Sequence, residues 1–311
     1  MDRQQLRSAG LPDRLTLVAF STAVLIGGVN FVAVRYSNRE LEPLFGAGVR
    51  FAAAAGLFLG FMALRKIPFP RGRELAGTVV YGVLAFTVSY ALAYWALQEL
   101  SAGVAAVVFG ATPLVTILLA AAHRLERLSR RGLVGAAIVV AGIVVLANPS
   151  SGADIPVLRL LAVLAAAVAA AESSVIIKIV RPTHQVATNG TAMAIGAVLL
   201  LAVSALTGET WVIPSAAETW VAWTYLAGIG SVGLFALILF TLGRWTVSGV
   251  AYMTPLFPVV AMIAGAMIAD EPITANGVVG GIIVLAGVYV GVLRRGPRRH
   301  ERLEPRVAEA G

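Results

Sequence analysis

Pro113 and Pro258 are separated by 145 residues, and the same offset links Glu126 to Glu271, Gly132 to Gly277, Gly135 to Gly280 and Gly142 to Gly287. From Pro113 to Val145, 12 of 33 positions are identical at this offset, without a gap. The chain is therefore an internal duplication. Each copy holds five apolar stretches of membrane-crossing length. Because five is odd, the second copy must enter the membrane in the opposite sense to the first. Inverted repeats of this kind build secondary transporters, with the substrate path near the midplane between the halves. The expected fold is an all-α integral membrane protein of ten transmembrane helices in two inverted five-helix repeats.

Composition agrees with a lipid-covered surface. The chain is 59% hydrophobic and 13% charged, with mean hydropathy +0.86, whereas a soluble chain carries about 25% charged residues. The absence of cysteine excludes a disulfide framework, a thiolate metal site and a cysteine nucleophile. The net charge of +8 is spread in short basic clusters between apolar stretches. That pattern fits membrane topology and not nucleic-acid binding.

The spans are read as Leu15–Val34, Leu44–Leu64, Leu75–Leu97, Ala102–Ala121, Gly132–Ala147, Leu158–Val180, Val186–Leu206, Trp220–Phe240, Val247–Ile268 and Val278–Leu293. At about 1.5 Å per residue, roughly 20 residues cross a ~30 Å hydrocarbon layer. The first stretch has no small-residue cleavage site directly after it and reads as a retained helix. With a cytoplasmic N-terminus, 20 Arg and Lys fall inside and only Arg35, Arg39 and Arg159 outside, with Arg50 within a span. Cationic loops resist translocation, so both termini are expected in the cytoplasm, in the plasma (inner) membrane. The division is an N-terminal segment 1–14, a first repeat 15–147, a second repeat 148–293 and a basic tail 294–311. All five tryptophans fall near span ends, where an amphipathic ring is most stable.

The repeated residues carry a family likeness. Each half resembles an EamA domain of the drug/metabolite transporter superfamily. The resemblance rests on Gly27-Gly28-Val29-Asn30-Phe31-Val32-Ala33-Val34-Arg35 in the first helix and on Arg50 after Pro43 in the second. It continues in the series Pro113, Glu126, Gly135, Gly142 and in its copy Pro258, Glu271, Gly280, Gly287. The chain departs from the pattern at Ile26, where tryptophan is common. It also lacks a second-half equivalent of Arg50 and carries Glu172 in the sixth helix. The resemblance implies ten helices in two inverted repeats and the export or exchange of amino acids, metabolites or drugs.

Polar groups within spans are costly and usually face the bundle interior. Glu172, some 14 residues into the sixth span, reads either as a proton carrier or cation ligand, or as a hydrogen-bonded carboxyl that packs the bundle. Arg50 and Asn30 lie at similar depth in the second and first spans. They form either a gate or carboxylate anchor, or a structural cross-link between helices. Tyr81, Tyr90, Tyr94 and Trp95 on the third span read as pocket wall or as packing. Tyr252 and Thr254 precede Pro255 and Pro258, whose missing N–H groups free backbone carbonyls or simply kink the helix, as at Pro113. Ser173 is read as lining or as a small packing residue. Gly56-x-x-x-Gly60 and Gly287-x-x-x-Gly291 allow close helix approach. Gly228-Ile229-Gly230-Ser231-Val232-Gly233 matches the dinucleotide pattern but lies inside an apolar span, which rules that function out. Glu126 and Glu271 read as caps for the following helix.

Two classes compete, and a third reading, a scaffold or receptor, would leave the buried Glu172 and Arg50 expensive and unexplained. A secondary exporter of a small metabolite, such as an amino acid or a drug-like compound, needs only the inverted halves. An intramembrane enzyme acting on lipid or peptide needs catalytic groups within the spans, and His123, His184 and His300 lie outside them. The expected partners are a small-molecule substrate and the bilayer, with no nucleic acid, no cofactor and no metal, in a monomer or homodimer.

Overall fold

The computed structural model describes residues 12–125, 130–146, 156–180, 184–245, 250 and 252–293. Glu126, the boundary between the repeats at 147/148 and the basic tail lie outside them. Every regular element among the described residues is helical. Seven helices are long and apolar enough to cross a membrane: α1 (Arg14–Ser37), α2 (Pro43–Arg65), α3 (Gly72–Ala96), α4 (Ala102–Ala122), α6 (Val157–Val180), α7 (Gln185–Thr207) and α8 (Ala217–Leu242). Three more are shorter: α5 (Arg130–Leu146), α9 (Met253–Ile268) and α10 (Ala275–Val288), the last continuing as a π turn at Tyr289–Leu293. Of the ninth stretch before Met253, the described residues are Val250, which is helical, and Tyr252.

The helix starts follow local chemistry. Asp13, Ser101 and Thr274 cap α1, α4 and α10 by accepting backbone N–H bonds from Thr16, Val104 and Gly277. Two other starts are capped from a distance. Glu209, just beyond α7, accepts the N–H groups of Leu44 and Phe45 at 3.0 and 2.8 Å in the first turn of α2. Glu40, between α1 and α2, accepts from Ser215 and Ala216 just before α8. The Ser215 hydroxyl, with Thr219 and the two backbone donors, holds the Glu40 carboxyl down to about 2. A carboxylate at a helix N-terminus satisfies orphan donors and meets the positive end of the dipole. Here each of the two loops supplies the cap for the helix that follows the other.

The long-range packing pairs α2 with α7 and α5 with α10. It also sets α1 against α9 and α8, and α6 against α4 and α3. The α5–α10 seam explains the repeated glycines. A Cβ on Gly135 would lie 2.6 Å from the carbonyl oxygen of Gly287, and one on Gly142 would lie 3.0 Å from that of Gly280. Backbone touches backbone there, which any side chain would prevent. Gly56 and Gly60 behave differently: nothing lies within 4 Å of the Cβ either would carry. The close approach expected for them is not made within the chain, because that face of α2 is exposed while its other face packs on α7.

Two further breaks matter for the site. α3 contains a π segment at Val83–Val88 and α8 one at Gly228–Gly233, and these are again 145 residues apart. α4 is interrupted after Phe109 and resumes at Thr112, with Pro113 in its first turn. Pro258 lies inside α9 and is buried.

Candidate functional site

Arg50 projects from the buried face of α2 and is 1% exposed. Its Nε donates to Ser231 Oγ at 3.0 Å, Nη1 to the Tyr94 hydroxyl at 3.2 Å and Nη2 to the Gly230 carbonyl at 3.3 Å. The Tyr90 ring centre lies 5.2 Å from the guanidinium carbon. All these partners are neutral. Among the described residues no carboxylate reaches the guanidinium. A buried cation without a counter-ion is expensive, and here it borders a cavity.

That cavity, of about 110 Å³, is lined by Gly27, Asn30, Phe31, Val34, Arg50, Ser89, Tyr90, Ala93, Tyr94, Leu97, Phe109, Leu234 and Phe257. Among the described residues, Arg50 is the single charged one in the wall. The remainder is mainly aromatic and aliphatic, with Phe31 edge-on to Phe109 and Tyr90 edge-on to Phe51. Such a chamber suits a ligand with an apolar body and one anionic group.

The π segment of α8 makes this arrangement possible. In a regular helix each carbonyl is taken by the N–H four residues on. The widened turn lets the Gly230 carbonyl serve α1 and α2 instead, accepting from Asn30 Nδ2 at 2.9 Å as well as from Arg50. A Cβ on Gly230 would fall 2.3 Å from Asn30 Oδ1, so only glycine admits α1 this closely. Asn30 Oδ1 itself is buried and makes no hydrogen bond. π segments within α-helices occur often at functional sites.

The structure brings together Asn30, Arg50, Tyr90 and Tyr94 of the residues singled out in the sequence. Others lie elsewhere. The Tyr81 hydroxyl meets Asn189 Oδ1 at 3.1 Å between α3 and α7. Trp95 is outside the cavity wall, with the Arg159 guanidinium 3.7 Å above its ring. Glu172 is not a lone carboxylate: it pairs with His123 Nε2 at 2.7 Å, joining α6 to the end of α4, and its side chain is 23% exposed. The Ser173 hydroxyl is turned back to the Ala170 carbonyl. Tyr252 is exposed, and neither it nor Thr254, Pro255 or Pro258 lines the cavity. Pro113 is also absent from the wall. Glu271, read as a cap for its own following helix, instead accepts the N–H of Ala102 at the start of α4 and the guanidinium of Arg35 from α1. Sequence reasoning missed Ser231, Gly230, Phe109 and Phe257. The signal for the first two was present in the glycine-rich run of α8, which needed a purpose once nucleotide binding was excluded.

Comparison with known proteins shows the family. The EamA-like transporter family matches the chain twice, over residues 14–148 and 158–293. A relative from Escherichia coli (strain K12), named "Probable amino-acid metabolite efflux pump", is 28% identical over 86% of this chain and 92% of its own. An "Uncharacterized transporter" of Archaeoglobus fulgidus is also 28% identical, over 89% of this chain and 99% of its own. A solved crystal structure of a protein 22% identical to this chain has the same fold, with a TM-score of 0.63 over 89% of this chain and 96% of that one. The family and the names of its relatives indicate a transporter rather than an enzyme. With two family matches spanning its length and seven helices of membrane-crossing character, the chain is a multi-pass membrane protein and belongs to the EamA-like transporter family.

Proposed function

We propose that the protein is a secondary exporter of small carboxylate-bearing metabolites, amino acids foremost, in the plasma membrane with both termini in the cytoplasm. The observation that carries this reading is Arg50, a buried cation on the wall of an apolar cavity with only neutral partners. A substrate carboxylate supplies the missing charge, and charge-assisted bonds of this kind are about twice as strong as neutral ones. Asn30 Oδ1, free of hydrogen bonds beside it, offers an acceptor to a substrate ammonium. The relatives named as amino-acid metabolite efflux pumps support the same class.

The packing supports alternating access. Exchanging the halves at the 145-residue offset turns α1 into α6, α3 into α8 and α4 into α9. The contact of α1 with α9 then becomes that of α6 with α4, and α3 with α6 becomes α8 with α1. The glycine contacts obey the same exchange: Gly135 against Gly287 becomes Gly280 against Gly142. Two halves related in this way have two equivalent arrangements, one open to each side of the bilayer. The protein works as a monomer or a homodimer.

Counterflow of radiolabelled amino acids in proteoliposomes tests the reading. Arg50→Lys keeps the charge but loses the planar fork. It is expected to raise the KM of a transported amino acid about 10- to 100-fold, the value of a hydrogen bond to a charged group. An unchanged KM would reduce Arg50 to a helix tie.

A further inference from the structure

The positive-inside rule leaves three arginines on the outer side, Arg35, Arg39 and Arg159, and the structure gathers them at one place. A second cavity, of about 270 Å³, is lined by Arg35, Tyr36, Asn38, Arg39, Leu97, Gln98 and Ala269. Arg159 reaches its edge by donating to Gln98 Oε1 at 3.2 Å. Two of these cations are neutralised: Arg35 by Glu271, Arg159 by Glu99. Arg39 is not. Its guanidinium lies 3.9 Å over the Tyr36 ring, and among the described residues no carboxylate pairs with it. The lining thus holds two arginines and no acid.

Leu97 is the one residue that lines both this vestibule and the Arg50 cavity. Tyr94 spans the same wall. Its hydroxyl accepts from Arg50 on the inner side, while its backbone carbonyl accepts from Asn38 Nδ2 at 2.8 Å on the outer side. A carboxylate leaving Arg50 outward therefore meets first an apolar barrier one side chain thick and then a cationic chamber. We propose that this vestibule is a second anion site, in which Arg39 receives the substrate carboxylate after it passes Leu97 and before release. The inference rests on the reading of the Arg50 cavity as a carboxylate path. It adds a discrete outer station, held by a solvent-screened cation that binds weakly enough to let go.

The chain has no cysteine, so one introduced thiol reports on the vestibule alone. With the purified full-length protein carrying Gln98→Cys, labelling rates are compared for an anionic sulfonatoethyl and a cationic trimethylammonioethyl methanethiosulfonate. Ala269→Cys serves as a second position that leaves the Arg159 bond to Gln98 intact. One nearby unit charge changes each rate by about fivefold in opposite directions. Arg39→Gln is therefore expected to lower the anion-to-cation rate ratio by about 25-fold at both positions. 4-Methylpentanoate should slow labelling when Arg39 is present and not when it is Gln, whereas 4-methylpentanamide should do neither. A ratio unaffected by Arg39→Gln, or equal protection by acid and amide, would overturn the vestibule site. Transport by Arg50→Lys separates the two ideas. A shifted KM with a charge-blind vestibule sinks only the outer station. A normal KM with an anion-selective vestibule sinks only the central site.

Discussion

Arg50 and Glu172 are both ionisable residues on apolar helices, yet they meet different surroundings. Arg50 is sealed among Ser231, Tyr94 and the Gly230 carbonyl. Glu172 is partly open and has His123 as partner. A partly exposed pair is worth at most about 1 kcal/mol, so this one contributes little to stability. It does hold a carboxylate of α6 and an imidazole at the end of α4 together. Glu172→Gln should leave the thermal unfolding temperature in detergent nearly unchanged while flattening the pH dependence of counterflow. Identical pH profiles for the two proteins would leave the pair as a minor tie between helices. Tyr94 shows how one residue serves two purposes, since its hydroxyl accepts from Arg50 and its backbone carbonyl from Asn38.

At the scale of elements, the glycines singled out in the sequence fall into two kinds. Those of α5 and α10 are seams where backbones meet, and those at Gly56 and Gly60 face outward. Gly142→Val would drive a side chain into Val284 and the Gly280 carbonyl. It should destabilise the protein by about 1–3 kcal/mol, the usual cost of overpacking. Gly56→Val meets no atom of the chain and should be close to neutral. Thermal unfolding in detergent distinguishes them, and equal losses would contradict the seam. The π segments of α3 and α8 are the other element-level feature. They sit at equivalent positions in the two halves, but only that of α8 presents its carbonyl to Arg50 and Asn30.

Across the whole molecule, Glu271, just beyond α9, gathers helix ends by accepting from Arg35 of α1 and from the start of α4. The Tyr36 hydroxyl adds a bond from α1 to the Ile268 carbonyl at the end of α9. These contacts join the first half to the second beside the vestibule. A mechanism in which the halves rock must loosen them in each cycle. Arg35→Cys with Glu271→Cys, joined by a short reversible cross-linker in the otherwise cysteine-free chain, should stop counterflow, and reductant should restore it. Transport that survives complete cross-linking would show that the outer ends stay joined throughout. Much of this architecture was legible in one dimension. The apolar stretches and the charge asymmetry follow from the need to satisfy backbone groups within lipid and to keep charge out of it, and that need acts on sequence directly. Asn30, Arg50, Tyr90 and Tyr94 stood out because polar atoms in an apolar helix are costly enough to require a purpose. Their meeting with Gly230 and Ser231 was not legible. It depends on contacts between residues some 180 to 200 positions apart and on a widened helical turn that hydropathy does not encode. Glu172 and Glu271 show the same limit. Sequence sets how deep a carboxylate lies, but its partner is chosen by which helices become neighbours, and only the folded chain decides that.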